Sequence, residues 1–371
     1  MHENAGNMKE NNQERIFNLL RRQGSLTKQE IGTSLGLSMP TTLANVNELM
    51  EQGILEEGEA IESTGGRRAR KIQVNGKSGF CVGIDITTSQ VGFAVTNLMG
   101  EVAAKKSMPL KFQDEPKVYE QIGGGLEQVI KRGRFKNKLL GVGISFPGII
   151  DMQAERIVQS HIFGLEYVSL DRFHKIIPYP IIVENDANCL SFVELKAERS
   201  DYVYISLNRT VGGAIIQKGQ LMTGDGFRTG EIGHMVLVPG GRICYCGKKG
   251  CADAYLSPNV LTEEASLDVF FARLQEGEEE TAKVWDRYLE HLAILATNLR
   301  MALDMEIVIG GEVGAYLEPY MNVLRKKASE YDKFARDIDY LHSISASRRE
   351  HTGALGASLL ALEVFGSSII K

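Results

Sequence analysis

The sequence predicts a mixed α/β protein, with a small helix-rich N-terminal module ahead of a larger body of two related lobes. Three observations carry this. Apolar residues recur at helical spacing through the first fifty positions, the pattern switches to short β-type runs from Phe80, and a strand-turn-strand pattern begun there recurs from Tyr202. With 371 residues, 43% hydrophobic and 24% charged, the chain can bury two or three cores without disulfides. A net charge of −5 argues against indiscriminate nucleic-acid binding, so any such contact is local. The polar start MHENAGNMKENNQE lacks a signal-peptide core and no apolar run reaches bilayer length, so a cytoplasmic protein without a membrane partner is expected.

In ERIFNLLRRQG, Ile16, Leu19 and Leu20 share a helical face and Gly24 stops the helix. Leu26-Thr27 opens a second short helix with Ile31 and Leu35 inward. Gly36-Leu37-Ser38 makes a tight turn, Ser38 caps a third helix, and Leu43, Val46, Leu49 and Met50 form its inward face. Met39, Pro40, Thr41, Thr42 and Asn45 are then left pointing outward near the N-terminus of that helix, where a recognition helix meets the major groove. GILEEGEAIESTGGRRARKIQVN reads as two strands around a glycine turn carrying Arg67, Arg68, Arg70 and Lys71, cations suited to a minor groove or phosphate backbone. Residues 1–77 therefore read as a winged helix-turn-helix DNA-binding domain, and NGKSG at 75–79 as the linker to a second domain over 78–371. A three-helix protein-interaction module has the same geometry, and the basic wing tip favours DNA.

Beyond the linker, FCVGIDI, QVGFAVTN and EVAAKKSMPL form a meander with turns at 87–89 and 98–100, followed by a helical segment and the strand LLGVGISF. Tyr202–Leu207 with VGGAIIQKGQL repeats the meander, which implies two α/β lobes with a ligand cleft between them. Three of the five cysteines fall within eight residues. With the upstream histidine, His234, Cys244, Cys246 and Cys251 supply one imidazole and three thiolates, a set suited to tetrahedral Zn2+. Gly247 and Gly250 let the loop turn between ligands. All four positions are filled by protein, so the expected role is structural. Reduced cysteines in an ordinary loop are the alternative, disfavoured by the CxCGxxGC spacing. Cys81 and Cys189 lie in apolar surroundings and read as core residues.

Several motifs point to a family: GRRA after the wing, GIDI at 83–86, SFPGIID at 145–151, ENDAN at 184–188, GEIGH at 230–234, CYCGKKGC at 244–251, IVIGG at 307–311 and GALGASLLAL at 353–362. Over nearly its whole length the chain resembles the ROK family of sugar-responsive repressors and sugar kinases. The resemblance implies a two-lobed actin-like (ribonuclease H-like, sugar-kinase) domain, a structural zinc, and sugar hydroxyls held by Asn185, Asp186, Glu231, His234 and Asp253. Carboxylates, amides and imidazole suit that task because hydroxyls both donate and accept. Asp186 matches the general base of family kinases, while the residues alone also allow it to cap the helical ANCLSFVELKAE.

The departures from the family pattern are informative. Asp253 stands where the family usually has glutamate, and Ile162 and Leu165 where it often has Asn and Trp, which points to an unusual sugar or derivative as ligand. The glycines expected to approach ATP phosphates are replaced in Asp85-Ile86-Thr87-Thr88-Ser89 and in Asn208-Arg209-Thr210. The expectation is a repressor that binds operator DNA as a homodimer or tetramer and answers to a sugar, with Asp186 a vestigial base and no catalytic residue. A sugar kinase with an accessory N-terminal module is the alternative.

Overall fold

The computed structural model describes residues 2–60, 70–195, 199–262, 266–332, 343–347 and 352–370. It divides into two compact units, one formed by Met1–Phe192 with Thr352–Lys371 and the other by Val193–His351. The first unit begins with α1 (His2–Gln23), α2 (Lys28–Leu35), α3 (Met39–Glu51), β1 (Leu55–Ala60) and β2 (Arg70–Val74). α1 runs back through the polar leader, where no proline interrupts it. Ile16, Phe17 and Leu20 are fully buried, and Gly24 leaves the helix at φ +81°. Thr27 heads α2 with a reciprocal cap: Glu30 N donates to its hydroxyl and Thr27 N donates to the Glu30 carboxylate. Ser38 caps α3 as expected, accepting from Thr41 N.

The buried stripe of α3 is Thr42, Asn45, Val46 and Leu49, spaced i, i+3, i+4, i+7. This corrects the outward orientation expected for Thr42 and Asn45, and Leu43, expected inside, is 39% exposed. The cause is close approach by α2: a Cβ on Gly32 would lie 3.0 Å from the Thr42 hydroxyl. Thr42 Oγ1 donates to Ser38 O and the Asn45 amide to Thr41 O, which lets both polar side chains enter the core. β1 and β2 pair antiparallel, with Leu55 opposite Val74, and Leu26 bridges to Ile72. Arg67 and Arg68 lie outside the described residues.

The first unit continues with β3 (Phe80–Ile86), β4 (Gln90–Asn97), β5 (Val102–Pro109), α4 (Pro116–Gly133) and β6 (Leu139–Phe146). A small sheet of β7 (Ile149–Asp151), β8 (Arg156–Ser160) and β9 (Leu165–Ser169) leads to α5 (Asp171–Ile176), β10 (Ile181–Asn185) and α6 (Asp186–Ser191). The main sheet has the order β10-β6-β3-β4-β5, an antiparallel meander extended by two parallel strands. The second unit contains β11 (Tyr202–Leu207), β12 (Val211–Gln217), β13 (Gln220–Leu221), α7 (Asp253–Leu256), α8 (Asn259–Thr262), α9 (Leu267–Gln275) and α10 (Glu279–Leu303). It ends in β14 (Glu306–Gly310), α11 (Gly311–Gly314), α12 (Met321–Tyr331) and β15 (Ile344–Ala346). Its sheet order, β13-β12-β11-β14-β15, repeats the plan of the first, as an actin-like body requires.

The C-terminal helix, Gly353–Phe365, returns to the first unit and lies on β3 and β6 at backbone contact. A Cβ on Gly83 would overlap the carbonyl oxygen of Ala354, and one on Gly143 that of Ala357. The Ser358 hydroxyl donates to Cys81 O and meets the Thr96 hydroxyl at 2.7 Å. By length and composition the 18 residues Gly353–Ile370, with mean hydropathy 1.6, could cross a bilayer, an exception to the expected absence of such a run; Ala357, Leu360, Ala361 and Leu362 are buried within the unit. Ala361, Leu362 and Ile370 share one apolar cluster with Ile16, Phe17, Leu20, Val46 and Ile72. Glu363 accepts from Arg21 at 2.6 Å and Arg22 at 3.3 Å. Cys81 and Cys189 are fully buried, as expected.

Replacing Gly143 with Ala must push the helix off β6. Overpacking of this kind costs about 1–3 kcal/mol, so the urea midpoint of the first unit should fall; an unchanged midpoint would mean that the helix is not held against the strand.

Candidate functional site

His234, Cys244, Cys246 and Cys251 converge. Cys244 Sγ lies 3.7 Å from His234 Nδ1, Cys246 Sγ lies 3.8 Å from Cys251 Sγ, and the four ligand atoms are all within 4.8 Å of one another. Zn–S bonds near 2.3 Å in a tetrahedron separate two sulfurs by about 3.8 Å, so this spacing suits such a cation without rearrangement. The loop is shaped by its backbone. Cys244 N donates to Lys248 O and Gly247 N to Cys244 O, while Gly247 and Gly250 both sit at φ +86°. A Cβ on Gly250 would overlap the Val238 carbonyl. Lys248 Nζ donates to His234 O at 2.9 Å, tying the histidine segment to the cysteine loop.

With Nδ1 facing the sulfurs, Nε2 of His234 faces outward, 3.2 Å from the Tyr245 hydroxyl and 3.8 Å from the Glu231 carboxylate. Asp253 follows the last cysteine by two residues at the start of α7. It is 6% exposed and accepts from Val211 N at 2.7 Å, and burial pushes its carboxyl above the usual range. Glu231, His234 and Asp253 are thus brought to one loop of the second unit. Tyr245, between two metal-ligand positions, escaped the sequence reading. Burial, and then the carboxylates of Asp253 and Glu231, push its phenol above its ordinary value. Its only signal was its place inside CYCGKKGC.

Asn185 and Asp186 sit where β10 meets α6, in the first unit. Asn185 Oδ1 accepts from Ala187 N at 2.9 Å and Asn188 N at 3.3 Å, and its amide donates to Gly148 O at 3.1 Å. The capping role left open for Asp186 therefore belongs to Asn185. Asp186 is the first helical residue, and burial pushes its carboxyl up against the lowering effect of Ala187 N. α6 stops at Ser191, sooner than the helical pattern suggested.

On α3, Met39 is 44% exposed, Pro40 is exposed and Thr41 half-buried. Leu43, Ala44 and Asn47 complete the outer face, and Lys28 Nζ from α2 donates to Asn47 Oδ1 at 2.8 Å. Leu43 was missed because its apolar type suggested the core, and Ala44 was not singled out. The phase set by Val46 and Leu49 leaves both outside the core. Arg70 projects from β2 and pairs with Glu57 on β1.

Residues 81–364 match the ROK family, and residues 9–56 match a winged helix-turn-helix DNA-binding family. The chain belongs to the ROK family. The xylose repressor of Bacillus subtilis (strain 168) is 24% identical over 378 residues, with 96% of each protein covered. The N-acetylmannosamine kinase of Escherichia fergusonii is 26% identical over 291 residues, spanning 97% of the kinase but 75% of this chain. A solved ROK family transcriptional regulator, a homolog of the E. coli MLC protein, has a TM-score of 0.80 at 17% identity, with 98% of both chains covered. That likeness establishes the fold across the ROK body and the N-terminal module.

At the two turns that lack the expected glycines, side chains close the backbone. Thr87 Oγ1 donates to Gln90 O and accepts from Gln90 N. Asn208 Oδ1 accepts from Glu312 N at 2.9 Å at the head of α11, while its amide donates to Ser206. Asp85 accepts from Ser145 Oγ at 2.7 Å, and a Cβ on Gly353 would overlap its carboxylate. Burial, with a smaller contribution from the charge of Asp186, raises the Asp85 carboxyl from 3.8 to about 6. Its ionised form therefore costs stability above pH 6, and the cost disappears as pH falls below the ordinary carboxylate value. Asp85→Asn should stabilise the first unit by about 1–3 kcal/mol at pH 8 and by progressively less toward pH 4. Urea midpoints across that range test this, and a pH-independent gain would count against a strained carboxylate.

Proposed function

We propose that this protein is a sugar-responsive, DNA-binding transcriptional repressor of carbohydrate metabolism genes, acting in the cytoplasm. Residues 1–77 form the DNA-binding part and 78–371 the sensor. The observation that carries the reading is the union, in one chain, of a winged helix-turn-helix with a ROK body whose turns at Thr87 and Asn208 are closed by side chains. Similarity to a xylose repressor over 96% of the chain supports it.

In this reading Asn185, Asp186, Glu231, His234 and Asp253 grip sugar hydroxyls, which both donate and accept and so reward such a mixed set. A zinc ion held by His234, Cys244, Cys246 and Cys251 fixes the loop that bears Glu231 and Asp253, with His234 Nε2 turned away from the sulfurs toward Tyr245 and Glu231. Asp186 keeps the position of a general base but has no phosphoryl donor to serve. The ligand signal has a physical route inside the first unit. Gly356 of the C-terminal helix abuts the Cys189 carbonyl of α6, and the far end of that helix packs on α1. A homodimer or tetramer sets two winged modules on a palindrome with half-sites one or two helical turns apart. Regulation then requires that the sugar bind one arrangement of the modules better than the other.

The kinase relatives favour a second reading, a sugar kinase with an accessory module, and coupled ATP-consumption assays over hexoses and pentoses distinguish it. The repressor reading is tested by selecting genomic fragments with purified protein, with and without a panel of sugars. A palindrome beside carbohydrate genes, with occupancy altered by one sugar, supports it; no enrichment under any condition sinks it.

Changing Arg67 and Arg68 together to Ala should weaken DNA binding and reduce its salt dependence by about two phosphate contacts, with sugar affinity intact. An unaltered salt slope would remove the wing from the DNA contact. Cys246→Ser should abolish zinc retention, measured by atomic absorption, and blunt the sugar response, while DNA binding persists. A full sugar response without zinc would detach the metal loop from sensing.

A further inference from the structure

The outer face of α3 has an unusual chemistry for a helix expected to read DNA. Its sequence, MPTTLANVNELME, has no Arg, Lys or Gln, the side chains that make most bidentate contacts with guanine and many with adenine. Most of its polar side chains are engaged within the protein. Ser38 accepts from Thr41 N and meets the Thr41 hydroxyl at 2.8 Å. Thr42 is buried and donates to Ser38 O. Asn45 is 5% exposed with its amide on Thr41 O, so it cannot offer adenine a donor and an acceptor together. Asn47, the exposed asparagine, has its oxygen occupied by Lys28 Nζ.

Toward the N-terminal end of α3 the exposed surface is apolar, with Met39 at 44% exposure, Leu43 at 39% and the exposed Pro40 and Ala44, while the exposed Asn47 and Glu51 lie further along. Met39 and Leu43 share a face because residues four apart are neighbours, and Ala44 lies about 100° further round on the same exposed half of the helix. In the major groove the apolar feature that differs between bases is the C5 methyl of thymine. Lys28 and Asn47 flank this patch, where an ammonium can meet a phosphate without carrying sequence information.

We propose that Met39, Leu43 and Ala44 read the operator by packing against thymine methyl groups, so that each half-site is specified by the placement of thymines and not by hydrogen bonds to guanine. This rests on α3 being the recognition helix of the repressor reading above. Leu43 is the specificity-determining residue, since around the helix it lies between Met39 and Ala44. Lys28, held by Asn47, supplies affinity without discrimination.

The test uses the full chain and duplex DNA recovered by that chain from a random-sequence pool. Each thymine of the recovered half-site is replaced singly by deoxyuridine, which keeps base pairing and every groove hydrogen bond but lacks the methyl. Binding is followed by fluorescence anisotropy at fixed salt. One or more positions per half-site should lose about four-fold in affinity, the worth of one buried methyl. In Leu43→Ala the same replacement should become nearly neutral at its position, while an unchanged thermal midpoint and far-UV circular dichroism show that the module is folded. Lys28→Ala should weaken every sequence alike. If deoxyuridine is tolerated at every position of a strongly selected sequence, methyl readout is wrong and the repressor reading stands. Deoxyuridine sensitivity that persists in Leu43→Ala, Met39→Ala and Ala44→Gly would also overturn it, since other groups would then do the reading. A pool that yields no enriched sequence removes the DNA reading itself, and this inference with it.

Discussion

The seating of the C-terminal helix on bare backbone is the constraint around which the first unit is organised. Helices usually pack on sheets through side chains of both partners. Here Gly83 and Gly143 remove the side chains of β3 and β6 beneath it, and the helix settles against their main chains. Contact at that distance fixes position along the helix as well as rotation about it, because no side chain can rearrange to absorb a shift. The Ser358 hydroxyl, buried between Thr96 and Cys81 O, adds a polar key that is satisfied in one alignment. Asp85 and α6 at one end, and α1 at the other, are consequently referenced to one rigid element.

The cysteine loop answers a different need. The segment around His234 to Cys251 has little regular ladder to hold it: a three-residue helical turn, two isolated bridges and several backbone turns. Left-handed glycines give it shape, and three sulfurs with one imidazole nitrogen give it a centre. Asp253 extends that order to β12 through its bond with Val211 N, so the loop and the turn preceding β12 are positioned together. Arg199, bonded to both Glu194 and Glu306, does comparable work elsewhere in the second unit by neutralising two carboxylates, one of them buried.

What was legible in the sequence was what local chemistry determines. The caps at Thr27 and Ser38, the repeated meander, the left-handed glycines and the Cys/His donor set all rest on residues near one another in the chain. The errors arose where neighbouring residues competed for one role. Asn185 and Asp186 are both good caps, and the backbone places the first at the boundary. On α3 the small residue Gly32 of another helix decides which stripe is buried, and it admits Thr42 and Asn45 in preference to Leu43. The docking of Leu362 and Ile370 on α1, and the bridging of Glu194 and Glu306 by Arg199, join segments too distant in sequence for periodicity to reveal.

The pairing of Arg21 with Glu363 spans 342 residues. During synthesis at 5–20 residues per second, α1 waits roughly 20–70 s for the segment that completes its apolar cluster. The order of translation thereby sets the order of packing. The apolar cluster around α1 is completed only when residues from the far end of the chain have been made, so the N-terminal helices reach their full packing late.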